Sequence, residues 1–144
     1  MIPHGYRFSS DTNDLDRERV HTWLSTEAYW AIGRPRAVQE AAFGASLNFG
    51  LFDESTGAQV AYARVVTDSV TFAWLCDVFV DPPVRGRGLA VALIDSVCAF
   101  LDPLGLKRVL LATSDAHGLY RKFGFETLAS PERFMARTRA APTL

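Results

Sequence analysis

The stretch "DVFVDPPVRGRGLA", Asp77 to Ala90, runs from an apolar segment through two prolines into a loop with two arginines and two glycines. Beyond it, Leu89, Leu93, Ile94, Val97, Phe100 and Leu101 recur at helical spacing, so a helix is expected from Gly86 onward, packed on a sheet. Before it, Val70 to Val80 is apolar on both alternations. Trp74, Cys76, Val78 and Val80 fall on one face, and Ala73, Leu75 and Phe79 on the other, the pattern of a central strand covered on both sides. A strand, a glycine-containing loop and a helix in that order aim backbone N–H groups from the helix N-terminus, where the macrodipole also favours an anion. Gly86 and Gly88 let the backbone approach a ligand without a Cβ, and Arg85 and Arg87 add positive charge. The loop reads as a phosphate cradle, with an ordinary glycine turn carrying solvated arginines as the open alternative. It is neither a dinucleotide fingerprint, which needs a third small residue where Val91 stands, nor a P-loop, which needs Gly-Lys-Ser/Thr.

Asp77 interrupts the second face of the strand. A carboxylate among apolar neighbours loses hydration, so it is expected to be paired, protonated or functional.

The rest of the chain alternates helices and strands. Tyr6 to Phe8 reads as a short strand; Leu15, Val20, Trp23 and Leu24 share a helical face; "RAVQEAAFGAS" follows Pro35 as a second helix. "LNFGLFDESTGAQVAYARVVT" is a hairpin about "DESTG". After "DPLG", a short strand is expected over Val109 to Ala112, a short helix over "TSDAHGLYRKF" with Asp115 as its cap, and another strand over Gly124 to Leu128.

With 144 residues, 49% of them apolar, and no linker or repeat, one domain over 1–144 is expected. A net charge of −1 with both signs interspersed offers no general field for nucleic acid or an anionic membrane, so neither is expected as a partner. Cys76 and Cys98 sit in apolar segments and read as reduced thiols of a cytoplasmic protein, without the surroundings that would make Cys76 a nucleophile. No signal segment or membrane-length apolar run is visible, and the scattered His4, His21 and His117 give no metal spacing.

Arg85-x-x-Gly88-x-Ala90 is similar to the Arg/Gln-x-x-Gly-x-Gly/Ala signature of the GNAT superfamily of N-acetyltransferases. "AHGLYRKFGF", Ala116 to Phe125, resembles its second motif, Ala-x-x-x-Tyr-x-x-x-Gly-Phe, at the expected distance. "RPRAVQEAAFGASLNFGLFD" and "ARVVTDSVTFAWLCDVFV" resemble a subgroup of small bacterial single-domain members, so the likeness covers roughly Trp30 to Phe134. It implies an α/β (α+β) fold, with a mixed, mostly antiparallel sheet, a splayed central strand and flanking helices. It also implies acetyl-coenzyme A as co-substrate, without a metal. The pyrophosphate would lie on the amides of Arg85, Gly86, Arg87, Gly88, Leu89 and Ala90, and the pantetheine arm would pair with Phe79 and Val80.

The same resemblance implies direct attack by an amine on the thioester, with Tyr120 as general acid to the leaving thiolate. Asp77 stands where some members carry an acidic residue that handles the amine; several relatives have a glutamate one residue earlier, where this chain has Cys76. A structural aspartate capping loop amides is the alternative. Thr113 lies close to the place of a pantetheine-binding asparagine found in many members, and His117 is set aside as structural. Trp23, Tyr29, Trp30, Arg34, Phe49, Arg64, Phe72 and Trp74 come from elements that wall the acceptor side in this fold, although aromatics at such spacing are commonly core. Lacking an acidic surplus, the chain suits a small amine rather than a polycation, and Arg34 and Arg64 would suit a carboxylate-bearing one. A noncatalytic acyl-coenzyme A binding or sensing domain is the second reading. Relatives of this size often form homodimers, and "PERFMARTR" is a candidate exposed strand for such pairing.

Overall fold

A computed structural model describes residues 1–139. The first strand, β1, is Tyr6–Ser9, and helix α1 follows over Arg17–Glu27. The Asp16 carboxylate accepts from the Arg19 N–H at 3.1 Å and caps α1, which buries Val20, Trp23 and Leu24. Helix α2, Arg36–Gly44, starts directly after Pro35, whose fixed φ suits a helix entrance, and buries Gln39 and Phe43. The hairpin is strands β2, Leu47–Asp53, and β3, Gln59–Thr67; β4, Phe72–Val80, pairs with the far side of β3. Helix α3, Leu89–Leu101, β5, Arg108–Leu110, and α4, His117–Arg121, complete the order. The sheet runs β1-β2-β3-β4-β5, antiparallel throughout except for the parallel β4–β5 pair.

Two apolar clusters sandwich the sheet. On one face α3 packs Leu89, Leu93, Ile94 and Val97 against Phe49, Leu51, Ala63, Val65, Ala73 and Leu75. On the other, α1 and α2 bring Val20, Trp23, Leu24 and Phe43 to Tyr62 and Phe79. Leu75 and Phe79 therefore lie on opposite faces, which corrects the alternation expected from sequence. The cause is a bulge: Arg64 faces Cys76 and Tyr62 faces Phe79, so the step from 76 to 79 on β4 matches only the step from 62 to 64 on β3. Asp77 takes up the extra residue in the left-handed region, φ 53°, and every side chain after it changes sides.

Three boundaries also differ from expectation. Helix α3 begins at Leu89 rather than Gly86, because Gly86 and Gly88 have φ of 84° and 78° and Gly88 is the cap residue. Strand β5 is confined to Arg108–Leu110. Gly124 to Leu128 forms no strand: Gly124, φ 87°, turns the chain so that Phe125 donates back to the Tyr120 carbonyl and packs on its ring. Beyond that turn, the backbone finds no ladder to join among the described residues. No described helix is long and apolar enough to cross a membrane.

One feature of the sheet positions the site. Strand β5 pairs with β4 only over Phe72–Trp74, so from Leu75 to Val80 β4 is held by β3 alone and the two strands part as a wedge.

Candidate active site

The loop after β4 forms one end of the wedge. Among the described residues, the backbone N–H groups from Gly86 to Val91 find no protein acceptor; the next, Ala92, donates to the Gly88 carbonyl at 3.1 Å. Helix α3 has no side-chain cap and no acidic residue in its first turn, so its N-terminal field is not neutralised from within. A Cβ built on Gly86 or Gly88 would meet no protein atom within 4 Å. The glycines thus border open space beside a run of free donors at a helix N-terminus, surroundings that favour an anion. Arg87 lies beside this space, donating to the Tyr6 hydroxyl at 3.1 Å. Arg85 is more constrained than its sequence position implied: its Nε donates to the Val80 carbonyl at 2.8 Å and its guanidinium stacks 5.1 Å from the Phe79 ring centroid. It braces the end of β4, taking up the carbonyl of one of the two residues expected to pair with the pantetheine arm; Phe79 buries its side chain against Trp23.

At the other end of the wedge, the bulge places Asp77 in a dense set of donors. Its Oδ2 accepts from Arg34 Nη1 and Arg64 Nε, both at 2.9 Å; its Oδ1 accepts from Trp30 Nε1 at 2.8 Å and Arg34 Nη2 at 3.3 Å. The Asp77 side chain is 1% exposed, and those of Arg34 and Arg64 are 13% and 14% exposed. Of the fates open to it from sequence, Asp77 is paired. Burial alone would raise its pKa, but bonds and charge from Arg34 and Arg64 outweigh that and hold it below the ordinary 3.8. A carboxylate so saturated is a weak proton acceptor, so a role in deprotonating an amine has no support in this geometry. It does not cap loop amides either. Its neighbour Cys76, half-buried, has its thiol pushed up to about 11 by burial, and is no nucleophile at neutral pH.

Tyr120 projects from α4 into the core cluster on the α3 face of the sheet. Its ring is buried against Phe125, while its hydroxyl has no hydrogen-bond partner among the described residues and still reaches solvent. Burial first, then the neighbouring Asp115 and Tyr29, push its pKa up to about 12, so the phenol stays protonated. Tyr29 ties the α1–α2 connection to this corner: its hydroxyl lies 2.8 Å from Ser114 Oγ, just before α4, while the adjacent Trp30 reaches Asp77. That connection therefore bridges β4 and α4 across the mouth of the wedge.

Other expectations resolve simply. Trp23 and Phe49 are core; Tyr29, Trp30, Phe72 and Trp74 are partly exposed. Thr113, not Asp115, serves the start of α4, its hydroxyl accepting from Ala116 N–H at 3.1 Å. His117 is exposed and lines a groove of about 1070 Å³ between α3, β5 and residues 123–134, which includes neither the Gly86–Ala90 loop nor Arg34 and Arg64. No group of three or more His, Cys, Asp or Glu able to hold a metal comes together among the described residues.

Residues 17–125 match the model of the acetyltransferase (GNAT) family. The chain belongs to that family. A GNAT-family protein from Xanthomonas campestris pv. campestris is 46% identical and superposes with a TM-score of 0.88 over 96% of both chains. Glucosamine-6-phosphate N-acetyltransferase from Arabidopsis thaliana, 14% identical with a TM-score of 0.67 over 94% of this chain and 99% of that one, shares the fold. In sequence, the chloroplastic serotonin N-acetyltransferase 2 of Oryza sativa subsp. japonica is 36% identical over 87 residues, which span 60% of this chain and 44% of that protein. In this GNAT chain the wedge, the free amides and Tyr120 coincide with the two signature segments read from sequence. What sequence reasoning left unconnected is the Trp30–Arg34–Arg64–Asp77 set. Its early signals were a charged residue in an apolar strand and, separately, Trp30, Arg34 and Arg64 on elements that the resemblance set on the acceptor side.

Proposed function

We propose that this GNAT member transfers an acetyl group from acetyl-coenzyme A to the primary amine of a small acceptor by direct attack. The observation that carries the proposal is the run of unpartnered N–H groups from Gly86 to Val91 facing space that a Cβ would enter. These amides, with Arg87 beside them, would hold the pyrophosphate, and the unpaired stretch of β4 ending at Phe79 and Val80 would flank the pantetheine arm. Acetyl-coenzyme A supplies an activated thioester; the protein supplies alignment and proton traffic. The Tyr120 hydroxyl, which stays protonated and has no hydrogen-bond partner among the described residues, would protonate the leaving thiolate. The amine's proton leaves through water at the open mouth, with Asp77 as a positioning residue that fixes Trp30, Arg34 and Arg64. Isothermal titration calorimetry with acetyl-coenzyme A, followed by thiol-release assays over a panel of amines, tests the proposal. Saturable binding and turnover are expected; binding without turnover on any amine would refute the transferase reading.

A further inference from the structure

The charges at the bulge do not balance. Two guanidinium groups, Arg34 and Arg64, share one carboxylate, Asp77, and no other acidic side chain lies within ion-pair distance of either arginine among the described residues. The ionisable groups nearest Arg64 are otherwise Cys76 and Tyr62, whose pKa values burial raises, so both remain neutral. His21 approaches only the Arg34 backbone, its Nε2 being 2.8 Å from that carbonyl. One positive charge is therefore left over where both arginine side chains are more than four-fifths covered. A charge so placed carries a desolvation penalty that an anion would offset.

The unfilled donors agree with the charge. Arg64 gives Nε to Asp77 and Nη1 to Ser46 Oγ at 3.0 Å, leaving Nη2 without a protein partner yet reached by solvent. Gln39 turns its Oε1 to Arg34 Nη1 at 2.9 Å, which fixes its amide so that Nε2 is buried with no acceptor; the residue is only 2% exposed. The neighbourhood offers donors and lacks acceptors. It also borders the reaction corner, because Trp30, bonded to Asp77, is followed back along the chain by Tyr29, bonded to Ser114 at the start of the Tyr120 helix.

We infer that Arg34 and Arg64 read a carboxylate on the acceptor, so that the substrate is an amino-carboxylate rather than a simple amine. The inference rests on the acetyl-transfer reading and adds the acceptor's chemical class. Arg64 Nη2 meets one carboxylate oxygen, Asp77 keeps both forks in place, and the acceptor's amine is thereby directed toward the wedge.

The test is thiol release with matched acceptors: free amino acids, their carboxamides and the corresponding decarboxylated amines. kcat/KM is expected to be about 10- to 100-fold higher for the carboxylates, the range of a hydrogen bond to a charged group. Arg64→Gln leaves Asp77 paired with Arg34; it should abolish that preference by raising KM for the carboxylates, while coenzyme A affinity by calorimetry stays unchanged and reports an intact fold. Arg64→Lys, which keeps the charge, should retain part of the preference. Acetylation of the carboxamides as efficiently as the acids overturns this inference and leaves acetyl transfer standing. Turnover of no amine in any class removes both.

Discussion

Replacing Asp77 by Asn separates its electrostatic role from its backbone role. Asn, like Asp, tolerates the left-handed conformation seen at φ 53°, so the bulge itself survives. What changes is the charge. The Oδ2 position now accepting from Arg34 and Arg64, each at 2.9 Å, loses its negative charge, and either rotamer of the amide leaves Nδ2 facing donors: these arginines or Trp30 Nε1. Removing one partner of a buried ion pair costs about 3–5 kcal/mol, a large part of the roughly 5–15 kcal/mol that stabilises a typical domain. For a chain of this size the midpoint should fall by roughly 6–20 °C at neutral pH. Asp77→Ala should cost about 1–2 kcal/mol more, because alanine resists the left-handed region. Differential scanning calorimetry from neutral to acid pH gives a second check. Because the folded pKa of Asp77 is held below 3.8, its contribution is fully present above that value and lost as pH falls through the folded pKa. The gap between wild type and Asp77→Asn should therefore narrow toward acid. A midpoint within a degree or so of wild type, or a gap constant with pH, would refute the buried-pair account.

Further outcomes are expected from the same geometry. Tyr120→Phe should lower kcat about 100-fold with little change in coenzyme A affinity, as removal of a general acid does; an unaltered rate would take Tyr120 out of the reaction. In the wild type, kcat should show no alkaline fall near the ordinary tyrosine value of 10.0, since the acid form persists toward about 12; a fall at the ordinary value would contradict the buried phenol. Gly88→Ala should lower the midpoint by the equivalent of about 1–2 kcal/mol and weaken acetyl-coenzyme A binding by calorimetry, because φ of 78° disfavours a Cβ and the Cβ enters the anion space. Binding as tight as wild type would show that the pyrophosphate lies elsewhere. Cys76→Ser should leave turnover near wild type in the thiol-release assay, and loss of activity would point to a covalent route.

The glycine loop and its free amides were legible in sequence because their determinants are local. Gly86 and Gly88 adopt left-handed conformations that glycine alone enters cheaply, and the helix that follows leaves its amides free by geometry whatever the rest of the fold does. The motif holding Tyr120 was legible in sequence, and its spacing sets Tyr120 on α4 against Phe125. The strand alternation was misread beyond Asp77, because a bulge adds a residue to one strand only when a partner strand is present to oppose it. The segment after Gly124 was misread for a related reason: extended, apolar residues become a strand only where an edge receives them, and here Phe125 turns back on Tyr120.

By itself, the sequence determined the glycine loop with a helix after it, most of the order of helices and strands, the two signature segments and an anomalous carboxylate in an apolar strand. Each follows from neighbours a few residues apart, through backbone freedom, helix polarity or side-chain periodicity. Only the tertiary structure decided what that carboxylate does. Arg34 lies 43 residues from Asp77 along the chain, Trp30 47 and Arg64 13. Their meeting depends on α1 and α2 covering one face of the sheet, on β3 running antiparallel to β4, and on the bulge that turns Asp77 toward them. Charges at such separations interact only once the fold has removed the water between them, so their pairing, and the surplus positive charge it leaves, are properties of the packed chain.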